Sequence, residues 1–332
     1  MLPVVAMAEA RPETIAEDCR RVLALAGLDK FIRDSHPVFV PGAARRGWTP
    51  GFGTPPWQLA AALAAADPGT GRIFPVGTGR RTSVPDSGRW GWEKASSTAG
   101  ARPFSPEERA AEAVHVPTVL PALESVCPGG LKAPPVVRET PLMLLPVPRL
   151  CREWGLSGAV SLLDGLLATD RRGGGRMPAA EIQAEVAGFA RAVAGPVGVL
   201  MDATVWGVAS SRGRPTALMR NMLLAGTDPV AVDAVAVRLT GQDPSLVPWL
   251  RLCRDRGWGE IDLDRMRLRG QTDLLSLDFQ GPRSTLATCG GPGGRGLWPR
   301  LTRAWGSLGA APSSERPAAW DRLFEEFRMG AV

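Results

Sequence analysis

The chain has 332 residues, of which 44% are hydrophobic and 22% charged, with a net charge of +6. That length suits one large or two ordinary domains, and the balance excludes global disorder. The charge is almost wholly arginine, since Lys30, Lys94 and Lys132 are the only lysines, and no basic stripe interleaved with aromatics marks a nucleic-acid footprint.

Richness in alanine, glycine, proline and arginine without tyrosine points to G and C coding bias of a bacterial type. Cys19, Cys127, Cys151, Cys253 and Cys289 lie far apart with no CxxC pair, and His36 and His115 stand at no ligand-like spacing from them. Neither a structural zinc nor a Cys-ligated iron–sulfur cluster is expected. Reduced thiols fit a cytoplasmic protein. The opening MLPVVAMAEARPE lacks a basic segment and a long apolar run, so no signal peptide is expected. No run of about 18 apolar residues occurs, so no membrane partner is expected either.

In chain order, Val4 to Ala8 reads as a strand and Thr14 to Ala26 as a helix stopped by Gly27. Pro37 to Val40 is a strand candidate, followed by a glycine-rich loop to Thr54 that carries Arg45 and Arg46. Pro56 to Ala66 reads as a helix and Ile73 to Val76 as a strand, a βαβ-like alternation. Gly77 to Gly100 is expected as a long loop with Arg80, Arg81 and Arg89, and Pro106 to Val114 as a helix opened by Ser105. Leu142 to Pro146 is an extended candidate.

The second half is more regular. Ala159 to Leu163 is a strand candidate ending in Asp164, Pro178 to Ala194 a helix, and Val197 to Met201 a buried-type strand ending in Asp202. After a small and basic loop from Ser210 to Arg220, Met222 to Ala225 is a short strand broken by Gly226-Thr227. Asp228 stands at a helix N-cap with Pro229 at the first helical position. The helix from Val230 to Leu239 is apolar nearly all round, so Asp233 within it requires an explanation. Ser245 to Arg256 is a further helix, Met266 to Arg269 a last strand, and Ala318 to Phe327 an amphipathic terminal helix docking on its own domain. The fold class expected is α/β, with a mixed or mostly parallel sheet flanked by helices and an irregular, loop-rich first half. Residues 1–280 form one domain in this reading, and 281–332 a flexible Gly/Pro/Arg-rich tail with that helix.

Asp164, Asp202 and Asp228 each follow an apolar strand candidate. In open α/β sheets ligands bind outside the carboxyl ends of the strands, so three neighbouring strands would bring these carboxylates into one crevice. Converging carboxylates hold a hard divalent cation or raise one another's pKa. The competing structural readings are an N-cap for Asp228, turn formers for Asp164 and Asp202, and a buried carboxylate satisfied by backbone or arginine for Asp233.

The run from Asn221 to Pro244, NMLLAGTDPVAVDAVAVRLTGQDP, resembles the signature of the DUF362 family, a family named only as a domain of unknown function. LMDATVWGV (200–208), WLRLCRDRGWGEIDLDRMRLRG (249–270) and GAVSLLDGLL (158–167) are similar to flanking family elements, and 36–57 is more weakly similar to its start. The best match spans 195–270. The resemblance implies an α/β protein of unsettled activity, some relatives of which carry fused iron–sulfur modules. Where the family has Lys-Pro-Asn and Lys-Asn, this chain has Val40-Pro41-Gly42 and Ser161-Leu162, and PVPRLCREW (146–154) lacks the family's Lys-x-His. A cationic half of the family's pocket is thereby lost.

Two function classes follow. In the first, the protein binds a small anionic ligand or a divalent metal through Asp164, Asp202, Asn221, Asp228 and Asp233, with Asp202 and Asp228 as metal ligands and Arg45, Arg46 and Arg220 meeting the anion. In the second, it is a non-catalytic scaffold or interaction module with a degenerate site. A redox or protein partner stays open, and Trp206, Trp249, Trp258, Trp298, Trp305 and Trp320 permit a protein interface.

Overall fold

Apolar residues on successive positions of the strands face two separate cores, so the sheet must be covered on both sides. The computed structural model describes residues 2–43, 51–77, 91–105, 108, 110, 112–127, 129–151, 155–166, 179–208, 216–276 and 318–329. Its elements begin with β1 (Val4–Glu9), α1 (Ile15–Ala26), α2 (Leu28–Ser35), β2 (Val38–Ala43), α3 (Pro56–Leu63), β3 (Arg72–Ile73), β4 (Val76–Gly77) and α4 (Trp92–Thr98). There follow β5 (Arg102–Pro103), β6 (Glu112–Ala113), α5 (Pro121–Ser125), β7 (Lys132–Ala133), β8 (Leu142–Leu145), β9 (Arg149–Cys151), β10 (Gly155–Ser157), α6 (Ala159–Leu166) and α7 (Ala179–Val193). The remainder is β11 (Val197–Val208), β12 (Thr216–Gly226), α8 (Pro229–Arg238), α9 (Pro248–Asp255), β13 (Arg267–Gly270) and α10 (Ala318–Met329).

The main sheet runs in the order β13-β1-β12-β11-β8-β2-β3-β5. Every neighbouring pair along it is parallel except those made by β12, which is antiparallel to both β1 and β11. This is an α/β fold with a mixed, mostly parallel sheet flanked by helices. Alternation sends Val5, Val38, Leu142, Val199, Met201 and Leu224 to a core shared with α5 to α9. It sends Ala6, Phe39, Met143, Leu200 and Leu223 to a second core under α1 to α4 and α10.

Several elements differ from the sequence expectation. Ala159 to Leu163 is not a strand but the start of α6. A short apolar run has no periodicity that separates strand from buried helix. The expected loop from Gly77 to Gly100 contains α4, whose Trp92 is buried; residues 78–90, with Arg80, Arg81 and Arg89, lie outside the described residues. Within the expected helix from Pro106 to Val114, Glu112 and Ala113 instead pair antiparallel with Lys132 and Ala133. Strand β11 continues well past Met201, and α2 follows α1 directly through Gly27, whose left-handed backbone ends the first helix.

The terminal helix packs on the second core, with Trp320, Leu323, Phe324 and Phe327 buried. The Trp320 ring lies 5.4 Å from that of Trp57 in α3, and Phe327 lies 6.3 Å from Trp57. Truncating a buried tryptophan removes about 3–5 kcal/mol. Trp320→Ala is therefore expected to release α10. In hydrogen exchange its amides would lose protection while those of β11 and β12 keep theirs, and uniform loss over the sheet would contradict this docking role.

Candidate crevice at the carboxyl ends of the parallel strands

The three aspartates do not converge. Because β12 runs against β11, its carboxyl end lies beside the amino end of β11, with Gly226 opposite Val199. Asp228 follows β12 and therefore sits at the amino edge of the parallel strands, not the carboxyl edge. There its Oδ1 accepts from the Val230 and Ala231 amides at 2.8 and 3.2 Å, and its Oδ2 accepts from the Glu260 amide at 3.1 Å. It is the N-cap of α8, and burial pushes its pKa up.

Asp202 lies inside β11, opposite Leu223, rather than at a strand end. Its neighbours Met201 and Ala203 face the core shared with α8. Asp202 thus faces the opposite core and is separated from Asp228 and Asp233 by the sheet. Asp164 lies on the second turn of α6, half-buried. The expected joint ligation by Asp202 and Asp228 is therefore not the arrangement present. Among the described residues, no group of three or more His, Cys, Asp or Glu side chains is placed to hold a metal ion.

Asp233 is fully buried on α8 and reaches across to the start of α6. One carboxylate oxygen accepts from the Ala159 amide at 2.7 Å and the other from the Val160 amide at 3.0 Å. Two of the orphan donors that every helix N-terminus leaves are satisfied by this carboxylate from another helix. Burial, with a smaller contribution from the charge of Asp228, raises its pKa to about 7 against those hydrogen bonds. The unexplained carboxylate of the apolar helix is thus a cap for α6.

Asn221 and Arg220 form a bulge in β12. Ala203 pairs with Met222 and Val205 with Met219, so two residues of β12 oppose Thr204 alone. Asn221 takes the left-handed backbone at φ 53°, a conformation that Asn tolerates better than most residues. Its Oδ1 accepts from Trp320 Nε1 at 3.1 Å. Arg220 donates to its neighbour Met219's carbonyl, and burial lowers its pKa. Arg45 and Arg46 lie outside the described residues.

A shallow crevice with a cavity volume of about 20 Å³ opens instead where β2 and β8 end, at the edge where open α/β sheets bind ligands. Gly42 and Pro146 stand at the ends of those strands, and Arg149, Ser157, Gly158 and Ser161 form the opposite wall. Arg149 Nη2 donates to Ser157 Oγ at 2.9 Å, and Gln183 Nε2 donates to Ser161 Oγ at 2.9 Å. The loop before α3 is held down at Thr54, whose hydroxyl donates to the Leu145 carbonyl and accepts from the Gly42 amide at 2.8 Å. Gly51, at φ 77°, lets the same loop lie against Gly207, whose amide would be 2.5 Å from an added Cβ.

A second depression, with a cavity volume of about 10 Å³, adjoins the first, since Gly53 and Val147 line both. Asp202, Thr204, Trp57 and Trp320 line its far end. The Asp202 carboxylate accepts from Trp57 Nε1 at 2.6 Å, from the Thr204 amide at 2.9 Å and from the Thr204 hydroxyl. Burial pushes its pKa up, opposed by these three hydrogen bonds. With Asp18, its charge adds to burial in raising the Cys19 thiol. Arg149, Ser157 and Ser161 were not foreseen as site residues, because β9, β10 and α6 were not foreseen as the elements that carry them. The available signals were the alignments of Ser161-Leu162 with a family Lys-Asn and of PVPRLCREW, which holds Arg149, with the family's Lys-x-His segment.

Among the described residues, no helix is long and apolar enough to cross a membrane. Comparison with models of known families, with curated proteins and with solved structures finds no match.

Proposed function

We propose that the protein binds a small anionic molecule in the crevice outside β2 and β8. The observation that supports this most is the Arg149 guanidinium in the wall of a depression at the carboxyl edge of parallel strands. Guanidinium groups bind carboxylate and phosphate in a fork geometry, and nearby hydroxyls add directed donors. Ser161 accepts from Gln183 and so keeps its own proton to donate. The arginine stands here in place of the lysines that the resemblance led one to expect, so membership in the DUF362 family belongs to this proposal and rests on 195–270. A divalent cation has weaker support, because Asp202, Asp228 and Asp233 occupy separate places.

Calorimetric titration with inorganic phosphate and with butyrate tests the reading. Binding is expected to weaken about tenfold or more in Arg149→Ala and to be partly kept in Arg149→Lys. Equal binding by all three proteins would place the anion elsewhere.

A non-catalytic scaffold is the second reading. It is favoured by Asp228 and Asp233, whose carboxylates are occupied by backbone amides at helix starts. Absence of any saturable binding by phosphate or butyrate would support it.

A further inference from the structure

The first turn of α6 forms part of the crevice wall through Gly158, Ser161 and Leu162. A helix start carries the positive end of the helix dipole, which favours an anion. Here that end is met from behind by Asp233, whose oxygens accept from the Ala159 and Val160 amides. Gly158 links the carboxylate to the crevice. It lines the crevice, and a Cβ added to it would stand 2.1 Å from Asp233 Oδ1. Asp233 is fully buried, so its charge is weakly screened by salt.

Two charge states of the α6 start follow. Ionised, Asp233 sets a full negative charge against the first turn and cancels the dipole end that faces the crevice. Protonated, it leaves that end uncancelled and removes a like charge from behind a bound anion. Among the described residues lining the crevice, Arg149 is the one ionisable group, and a guanidinium keeps its charge throughout the neutral range. A pH response of this site near neutrality therefore has its source behind the wall rather than in it.

We propose that Asp233 is a pH switch for the anion site, which binds more tightly when this carboxyl holds a proton and more weakly when it has lost it. The proposal rests on the anion-binding reading above and adds its regulation. Burial holds the Asp233 pKa at about 7, so the change falls in the neutral range. By linkage a bound anion favours the protonated carboxyl in turn, so binding near neutrality takes up protons. Asp228 on the same helix is the charge that acts on Asp233, and it raises the pKa. From α9 comes the Cys253 thiol, pushed up by burial and by both aspartates, and Arg256, paired with Glu185. The turn at 244–246 adds the exposed Asp243 before it, β1 the exposed Glu9 at its end, and α6 the half-buried Asp164. Strand β12 carries Arg220 at its bulge, and β11 turns Asp202 to the opposite core.

The test is calorimetric titration of the unmodified protein with sulfate and with butyrate, whose own charges are constant from pH 6.5 to 8.5. Affinity is expected to fall about fivefold or more across that range. At pH 7.5, heats in two buffers of different ionisation enthalpy should show protons taken up on binding. Asp233→Asn should give a flat profile with no proton uptake, whereas Arg149→Ala should weaken binding at every pH. Binding that is independent of pH, or that takes up no proton, would overturn the switch and leave the anion site standing. A pH profile that persists in Asp233→Asn would also overturn it, because another group would then be its origin. Failure of sulfate, butyrate and phosphate alike to bind at any pH would overturn both readings. Carbon NMR of the aspartate-labelled unmodified protein keeps the test open even if Asp233→Asn does not fold. One carboxyl should titrate near 7 and move to higher pH with sulfate, and a midpoint that sulfate leaves in place would overturn the switch.

Discussion

Gly158→Ala is expected to destabilise the protein by about 3 kcal/mol or more, a large effect for one added methyl. The new Cβ would stand 2.1 Å from Asp233 Oδ1, 2.9 Å from its Cγ and 3.1 Å from Met201 Cε. Asp233 has nowhere to retreat, because it is fully buried and each oxygen is tied to an amide of α6. Moving it would leave a buried carboxylate and two helix donors unpaired. Denaturant unfolding measures the loss. A double-mutant cycle with Asp233→Ala identifies its source, since the methyl should be tolerated far better once the carboxylate is gone. Additivity of the two single effects would refute the collision.

The same carboxylate is expected to set the pH dependence of stability near neutrality. Its pKa is raised from 3.8 to about 7 by burial, so the folded state holds a proton that the unfolded chain has released. The stability this contributes is fully present below pH 3.8 and is lost as pH rises through 7. A rise of that size corresponds to about 4 kcal/mol once ionisation is complete. Asp202 and Asp228, raised by burial as well, act in the same direction. Glu108 acts oppositely, but Arg102 and the Ser105 amide hold it at about 2, outside this window. Asp233→Asn should carry a constant loss from one poorly satisfied α6 amide and show a flatter profile. Urea midpoints from pH 5 to 8 read the slope, and parallel profiles for the two proteins would rule Asp233 out as its origin.

How much of this was legible in the sequence varies with the distance over which each signal acts. The start of α8 was readable because Asp228 and Pro229 cap and open their own helix. The burial of Val230 to Val237 was readable from composition. Helix α6 was misread because its capping group is Asp233, more than seventy residues away on another helix. The site expected from Asp164, Asp202 and Asp228 required three strands running the same way. The reversal of β12 is set by pairing with β1 and β11, and no local pattern in Met222 to Ala225 encodes it. Asp202 was singled out as an acidic residue after an apolar run. Its burial beside Trp57 and Trp320 depends on α3 and α10, which meet only in the folded chain.

The reversed strand also governs when the sheet can be completed during synthesis. Strand β1 finds its partners in Met222 to Gly226 on one side and in Arg267 to Gly270 on the other. At ribosomal speeds of about 5–20 residues per second, the first pairing cannot form until about 10–40 s after β1 has been made. During that interval the apolar run Val5 to Ala8 has two unsatisfied edges, each a template for pairing with another chain. The fold thus has a long vulnerable period before its twelfth and thirteenth strands close around β1. Shielding of Val4–Glu9 by a chaperone in that period would protect the assembly more than shielding any later strand.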